Sequence, residues 1–369
     1  MVFSIGNIIF TNMIKSNYNI IALMSGTSLD GIDIIKVNFS LIDKWMFNIS
    51  DAKTVKYPKE WKIRLSQLVA LNSDELKEID LEYSSYLALV ISNFIDEHNL
   101  QAIDFIASHG HTALHQPERG LTYQIGNNQI LADQLNQKVI CDFRVQDVKF
   151  GGQGAPLVPI GDQLLFSEFE YCLNLGGFAN VSYRLNDVRI AFDICPVNIV
   201  LNYYVSKINL EYDDKGELAS NGKINESLLA ELNQLQFYIE EPPKSLGLEW
   251  VDINVIPLID SFKLQIKDVL RTFIEHIAIQ ISKILNLKNS KVLVTGGGVY
   301  NEFLMHRIKY YSHSKIIIPD NEIVEFKEAL IFGLLGVLKE RNEVNCLRSV
   351  TGANRDHSSG KILMPKNQL

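Results

Sequence analysis

One unit occurs twice in this chain, and that recurrence restricts the fold more than any other feature. Residues 20–24 are apolar and read as a buried strand, Gly26 to Gly31 turn the chain, and 33–39 alternates well enough for a second strand. Later, 171–175 reads as a strand, Gly176-Gly177 as a turn, and 181–185 as another strand leading into 188–192. The two turns stand 150 positions apart, about one domain length, so an internal duplication is expected although the residues barely match. A chain of 369 residues also exceeds what one hydrophobic core usually holds, which predicts two domains.

Helices are interleaved with these strands. From Leu76 the residues Ile79, Tyr83, Leu87, Val90 and Phe94 recur at helical steps, with Ser73 as expected N-cap, and a strand at 103–107 follows. Val269, Phe273, Ile277 and Ile281 mark a long helix, and a strand at 291–294 runs into Gly296-Gly297-Gly298 with a helix expected from Asn301. The mixture predicts an α/β fold of two similar lobes with a cleft between them.

Hydrophobic residues at 47% and charged residues at 21% are the balance of an ordinary globular protein. A net charge of -8 with no basic cluster argues against a nucleic-acid or anionic-membrane surface, so an anionic ligand must be held locally. Cys141, Cys172, Cys195 and Cys346 are far apart and form no C-x-x-C pair; neither a disulfide framework nor a zinc site is expected, and a reducing cytoplasm fits. The opening residues lack the basic start and full apolar region of a secretory signal, and Met13 serves as well as Met1 for a start. No apolar run approaches the ~20 residues that span a bilayer.

Three glycine-rich turns, GTSLDG, NLGGFAN and VTGGGVYN, each follow an apolar strand. Glycine lets backbone N–H groups approach a ligand closely, so such turns can cradle phosphate oxygens, although each alone is equally a tight hairpin or strand–helix corner. None fits the P-loop or the dinucleotide fingerprint. The first turn adds Thr27, Ser28 and Asp30. Asp30 is the candidate magnesium carboxylate, since magnesium keeps several waters and needs only one or two carboxylates; capping its own turn is the alternative.

The motifs GTSLDGID, SHGHT, QIGN, DFRVQD followed by GGQGAPLVP, NLGGFANVS, FDICPVN, KSLGLE, TGGGVYN and VTGAN stand in one order from about residue 20 to the C-terminus. As an ordered set they resemble the anhydro-N-acetylmuramic acid kinase family. The resemblance implies an actin-like, hexokinase-like ATPase fold of two duplicated ribonuclease H-like lobes, here 18–140 with 346–369 and 141–345. It implies ATP and Mg2+ with a first phosphate turn at Gly26, Thr27, Ser28, Leu29, Asp30, Gly31, Ile32 and Asp33. The second phosphate turn would be Gly176, Gly177 and Asn180, and the adenosine-side turn Gly296, Gly297, Gly298 and Asn301. It also implies a homodimer and a cytoplasmic enzyme that opens the 1,6-anhydro bridge of the sugar and phosphorylates its 6-oxygen.

Asp193 matches the family's catalytic aspartate, the base that activates water against the anomeric carbon. The local pattern equally suits a turn-starting Asp at the end of a strand. His109, Gly110, His111 and Thr112 match a sugar-binding segment, with His111 where the family has glutamine; a structural histidine is the alternative. Arg144 suits the lactyl carboxylate of the sugar, or else an internal salt bridge with Asp142 or Asp147. Glu328 matches a sugar-side glutamate, or else is a solvated helical residue.

The family's D-x-G-P-G-N is Asp193-Ile194-Cys195-Pro196-Val197-Asn198 here; a positive φ at either replaced glycine would cost ~1 to 2 kcal/mol. Leu246 and Leu248 stand where the family tends to have threonine and arginine, and Cys195 reads as a small buried thiol. A kinase for another sugar, or a non-catalytic ATP switch on the same fold, are the rival readings.

Overall fold

The computed structural model describes residues 15–26 and 29–368. Thr27, Ser28, Met1 and Met13 lie outside the described residues.

Two sheets carry the duplication. In the first, β1 (Asn17–Ser25), β2 (Gly31–Leu41) and β3 (Trp45–Lys56) form an antiparallel meander, and β4 (Phe105–Gln116) lies parallel to β1. The outer end of β4 carries β5 (Leu121–Ile125), and its inner end pairs in parallel with β6 (Val139–Cys141). In the second, β7 (Tyr171–Leu175), β8 (Phe178–Leu185) and β9 (Val188–Pro196) repeat the meander, followed by parallel β10 (Lys291–Thr295) and β11 (Lys315–Ile317). The last strand, β12 (Lys361–Leu363), returns to pair with β6. The lateral order β3-β2-β1-β4-β6 of the first sheet, with β5 off this path, is therefore matched by β9-β8-β7-β10-β11 in the second. The expected repeat is a repeat of topology, not of residues.

Helices separate and cover the sheets. Those that bear on the site are α1 (Ser73–Glu97), α2 (Pro159–Leu165), α3 (Asn198–Ser206), α4 (Ile266–Ile284), α5 (Glu302–Tyr311) and α6 (Asn321–Glu340). Helix α1 begins one residue earlier than expected, because Asn72 and not Ser73 is the cap. Asn72 Oδ1 accepts from the N–H groups of Asp74 at 2.9 Å and Glu75 at 3.1 Å, while Glu75 Oε2 accepts from Asn72 N at 2.8 Å. This reciprocal pair satisfies three exposed N-terminal donors.

Three apolar clusters fill the layers. One lies between α1 and the first sheet, around Ile21, Tyr83 and Phe94. A second joins Ile20, Phe39 and Phe105 of the first sheet to Cys172 and Leu293 of the second, with Leu330, Ile331 and Leu334 of α6 between them. The third covers the opposite face of the second sheet with α3, α4 and α5. Helix α6 is thus the shared middle layer, and a helix apolar around its circumference is what two flanking sheets require. A Cβ at Gly336 would stand 2.9 Å from Ala107 Cβ, so β4 can lie this close only against glycine.

Strand β9 continues four residues past the expected end, because β8 pairs with it as far as Phe178 opposite Pro196. Asp193 is therefore a strand residue and starts no turn. Strand β3 has no apolar run to announce it, since it is an edge strand with only Trp45 buried. Among the described residues, no helix is long and apolar enough to cross a membrane.

A buried ion cluster ties the middle layer to the second sheet. Lys327 Nζ lies 2.6 Å from Asp162 Oδ1, Arg189 lies 3.6 Å from Asp162 Oδ2, and Ser182 Oγ accepts from Arg189 at 2.6 Å while donating to Asp162. Removing one partner of a buried pair strands the other charge. Lys327→Met should destabilise the fold by about 3 kcal/mol, read as a lower denaturation midpoint with an unchanged slope.

Candidate active site

Alternation along β9 sets the direction of Asp193. Ile190, Phe192 and Ile194 face the cluster on the α4 side, so Arg189, Ala191 and Asp193 face the other way, toward α6. Across the sheet, Asp193 is opposite Asn180, Asn180 opposite Asn174, and Asn174 opposite Thr295. One polar row therefore crosses the carboxyl ends of the parallel strands β7 and β10. Ligands of open α/β sheets bind at such ends.

Asp193 is half-buried, and its Oδ2 accepts from the Leu246 N–H at 2.8 Å. Loss of hydration raises its carboxyl above the usual range, and the Leu246 bond pulls the other way. The contact uses main chain, so leucine in place of the family's threonine leaves it intact. Neither replaced glycine in FDICPVN takes a positive φ. Cys195 is paired with Ala179 just past a bulge at Ile194, Val197 has φ -128° and ψ -99°, and both are fully buried in the α4-side core.

The first sheet and α6 supply a second set of polar groups. Arg144 Nε donates to His109 Nε2 at 2.9 Å, and Arg144 Nη1 donates to the Gly154 carbonyl at 2.7 Å. His109 Nδ1 in turn lies 2.8 Å from the Gly110 carbonyl, which fixes the neutral Nδ1–H tautomer. Burial and the Arg144 charge hold His109 well below its ordinary range, so that tautomer persists at physiological pH. Both ring nitrogens of His109 are spent within the protein, contrary to the expected donation to a ligand; His109 orients the guanidinium. Arg144 forms no salt bridge with Asp142 or Asp147. Burial lowers it to about 10, with Glu328 opposing, and it remains charged.

Glu328 is solvent-accessible yet ringed by protein low in the cleft. Its carboxyl is raised by lost hydration, while Arg144 and Lys327 lower it and Asp33 raises it. Asp33 accepts from Thr54 Oγ1 at 2.6 Å and is raised by burial, with Glu325 and Asp30 adding to the effect. Helix α6 thus joins the Arg144 and Asp33 sides of the site. It is not merely a solvated surface at Glu328.

The glycine turns differ in what they offer. In the first, Asp30 is exposed and Leu29 takes φ +60°, but Ile32 is fully buried against the α1-side core and cannot present its side chain to a nucleotide. Gly31 opens β2 opposite Lys56. In the second, Gly177 is exposed, and its carbonyl accepts from Val197 and Ile199 at 2.7 and 3.3 Å while that of Gly176 accepts from Asn198 at 3.3 Å. In the third, Gly296 takes φ +85° and a Cβ there would stand 2.5 Å from Asn174 Oδ1, so only glycine fits. Gly297 faces open space, Gly298 is buried, and Asn301 Oδ1 caps α5 through Leu304 N at 2.9 Å.

His111 and Thr112 are separated from the cluster. His111 points to the opposite sheet face, where its Nδ1 lies 3.2 Å from Ser25 Oγ beside Tyr83, and burial lowers it to about 4. Thr112 is half-buried opposite Gln124. Asp142, at φ +57°, turns away from Arg144 into a separate pocket of ≈ 320 Å³ with Asp80 and Lys361 and is pushed up to about 6 by burial. Asn174 and Thr295 were not anticipated. Their signal was a polar residue inside an apolar strand next to a glycine turn.

Duplicated lobes of this strand order, with glycine turns and carboxylates gathered between them, define the actin-like ATPase class to which hexokinases belong. Within that class the assignment is specific: the anhydro-N-acetylmuramic acid kinase family model matches residues 18–365, and the chain belongs to that family. The anhydro-N-acetylmuramic acid kinase of Sulfurimonas denitrificans is 32% identical over 93% of this chain and 98% of its own. That of Vibrio vulnificus is 32% identical over 94% and 98%, and that of Shewanella putrefaciens 31% over 91% and 96%. A solved activator of 2-hydroxyisocaproyl-CoA dehydratase from Clostridium difficile, with bound ADPNP, overlaps at 14% identity and a TM-score of 0.43 over 88% and 96% of the two chains.

His109→Phe leaves the Arg144 Nε–H without its acceptor and should cost about 1–3 kcal/mol of stability. His109→Gln, which retains an acceptor, should cost less. Urea denaturation of the two variants checks the order.

Proposed function

We propose that this chain opens the 1,6-anhydro bridge of anhydro-N-acetylmuramic acid with water and transfers the terminal phosphoryl of ATP to the 6-oxygen, giving N-acetylmuramic acid 6-phosphate and ADP in cell-wall recycling. The observation that carries the reading is Asp193. It stands on the cleft face, raised above the usual carboxylate range, with one oxygen fixed by Leu246 N–H and no protein donor on the other among the described residues. Such a group can take a proton from water while a rigid strand holds its direction.

The roles of the other residues follow from what each has left to bond. Arg144 keeps Nη2 free after satisfying His109 and Gly154, and a guanidinium edge suits the lactyl carboxylate of the sugar. Glu328, beside it, accepts from sugar hydroxyls. The amides of the glycine turns, with Asn180, Asn174 and Thr295 in the adjoining row, receive the nucleotide phosphates. Thr27 and Ser28 belong to the first phosphate turn in the same reading. Lobe one comprises 18–140 with 346–369, and lobe two 141–345.

A divalent cation suits the first turn, because Asp33 already feels uncompensated negative charge from Glu325 and Asp30. Asp30, with Asp33 nearby, would hold magnesium through its waters, and the bound ion neutralises charge on the phosphoryl oxygens. Water as nucleophile needs no second carboxylate if the departing 6-oxygen is captured by phosphorus, which explains one base where glycosidases use two.

The test incubates the chain with ATP, magnesium and anhydro-N-acetylmuramic acid and follows phosphosugar by 31P NMR. Asp193→Asn should lose about 10³-fold in rate with both bridge opening and phosphorylation affected together. A near wild-type rate in that variant would remove Asp193 from the role; phosphorylation only of other sugars would reassign the substrate. Since the base must be ionised and burial raises its pKa, kcat/KM should fall as pH drops through a value above the ordinary 3.8. A pH profile with no acid limb above that value contradicts the assignment.

A further inference from the structure

Outside the cleft, one buried cluster has donors that the kinase reading does not use. Cys346 and His357 are directly opposite each other in an antiparallel bridge, with Cys346 N donating to the His357 carbonyl at 3.1 Å and His357 N returning the bond at 3.2 Å. Directly paired residues project to the same side of a ladder. Facing both is Asp147, whose Oδ1 lies 3.0 Å from Cys346 Sγ and 3.6 Å from His357 Nε2. The three side chains are 0%, 1% and 6% exposed for Asp147, Cys346 and His357.

The histidine is the group without an explanation. Its Nδ1 lies 3.1 Å from the Arg355 carbonyl and must donate there, so in the neutral ring Nε2 carries a bare lone pair. That nitrogen is buried, has no hydrogen-bond partner among the described residues, and points toward a carboxylate. A lone pair set against a buried anion is repulsive unless something positive stands between them.

We propose that Asp147, Cys346 and His357 bind a single zinc-type divalent cation. The donor chemistry is right for it: imidazole and thiolate select borderline-soft ions over magnesium or calcium. Charge balances as well, because a carboxylate and a thiolate together neutralise a divalent ion, so the buried site carries no net charge. Donors at about 2.0–2.3 Å around a tetrahedral ion lie roughly 3.3–3.8 Å apart. The Nε2 to Oδ1 separation already meets that, the Sγ to Oδ1 separation must open by a few tenths of an ångström, and all three donors lie within 4.8 Å of one another.

The supporting shell is in place. Asp147 Oδ2 accepts from Gly154 N at 2.7 Å, Thr351 Oγ1 donates to Asp147 Oδ1 at 2.7 Å, and the Arg355 carbonyl fixes the histidine tautomer. Binding expels the Cys346 thiol proton to solvent. Without the ion, burial and the neighbouring Asp147 push this thiol above its ordinary range, and the S–H donates to Asp147. The ion would clip the C-terminal segment to the loop that carries Arg144 and Gly154. A nucleophilic cysteine is a poorer account, since Cys346 addresses the carboxylate and not the imidazole, and it is closed to solvent.

The full-length chain is exchanged into buffer with zinc, passed over chelating resin and assayed for metal, with Co2+ as a second probe. One zinc per chain should remain, and cobalt should give a thiolate charge-transfer band. Cys346→Ser and His357→Asn, checked for native circular dichroism, should each weaken retention by about tenfold or more. No bound metal and no cobalt band would overturn the site. Retention unchanged in both variants would place the ion elsewhere and overturn it equally. Neither readout depends on turnover.

Discussion

Everything in the site hangs on the packing of α6 between two sheets. The helix is covered on one side by β1, β2 and β4 and on the other by Cys172 and Leu293, so its buried positions carry almost nothing polar. Lys327 is the exception, and it is held by Asp162. Toward the N-terminus the sheets no longer enclose it, and Glu325 and Glu328 emerge where Asp33, Arg144 and the Gly296 turn converge. The cleft is the place where the shared apolar layer ends.

Electrostatics there follow from desolvation more than from pairing. Asp193, Asp33 and Glu328 are all raised mainly by lost hydration, and Arg144 is lowered by the same cause. Groups held near water but poorly solvated change charge cheaply, which suits proton transfer and ligand-driven neutralisation. Arg144 is kept from collapsing onto a carboxylate because His109 and the Gly154 carbonyl occupy its Nε and Nη1. The guanidinium is thus oriented and still has a free edge.

Much of the fold was legible from periodicity. The two strand–glycine–strand units, the helices around Tyr83 and Phe273, and the strands ending at Thr295 and Leu175 lie close to where pattern put them, because each has a face buried in a core. Strand β3 was not legible, since an edge strand with a wet face has no apolar signature. The cap at Asn72 was missed by one residue, as Ser73 and Asn72 are both good caps and only the reach of Glu75 back to Asn72 N decides. At the site, Asp193, Arg144 and Glu328 were readable through family motifs. The consequences of Cys195 and Val197 were not, because a φ angle is a property of packing: both side chains fill the core, and neither takes a positive φ.

From sequence alone came what local pattern can carry: a duplicated α/β chain, three glycine turns, a family, and a candidate for the catalytic carboxylate. Only the tertiary structure decided directions and partners. His109 and His111 are two residues apart, yet a bulge in β4 sends one to Arg144 and the other to Ser25 on the far face. Cys346, His357 and Asp147 have no metal-binding spacing, and only the bridge between two distant segments sets them side by side. Spacing along a chain constrains neighbours within one element; contacts between elements arise from close packing, which no short motif encodes.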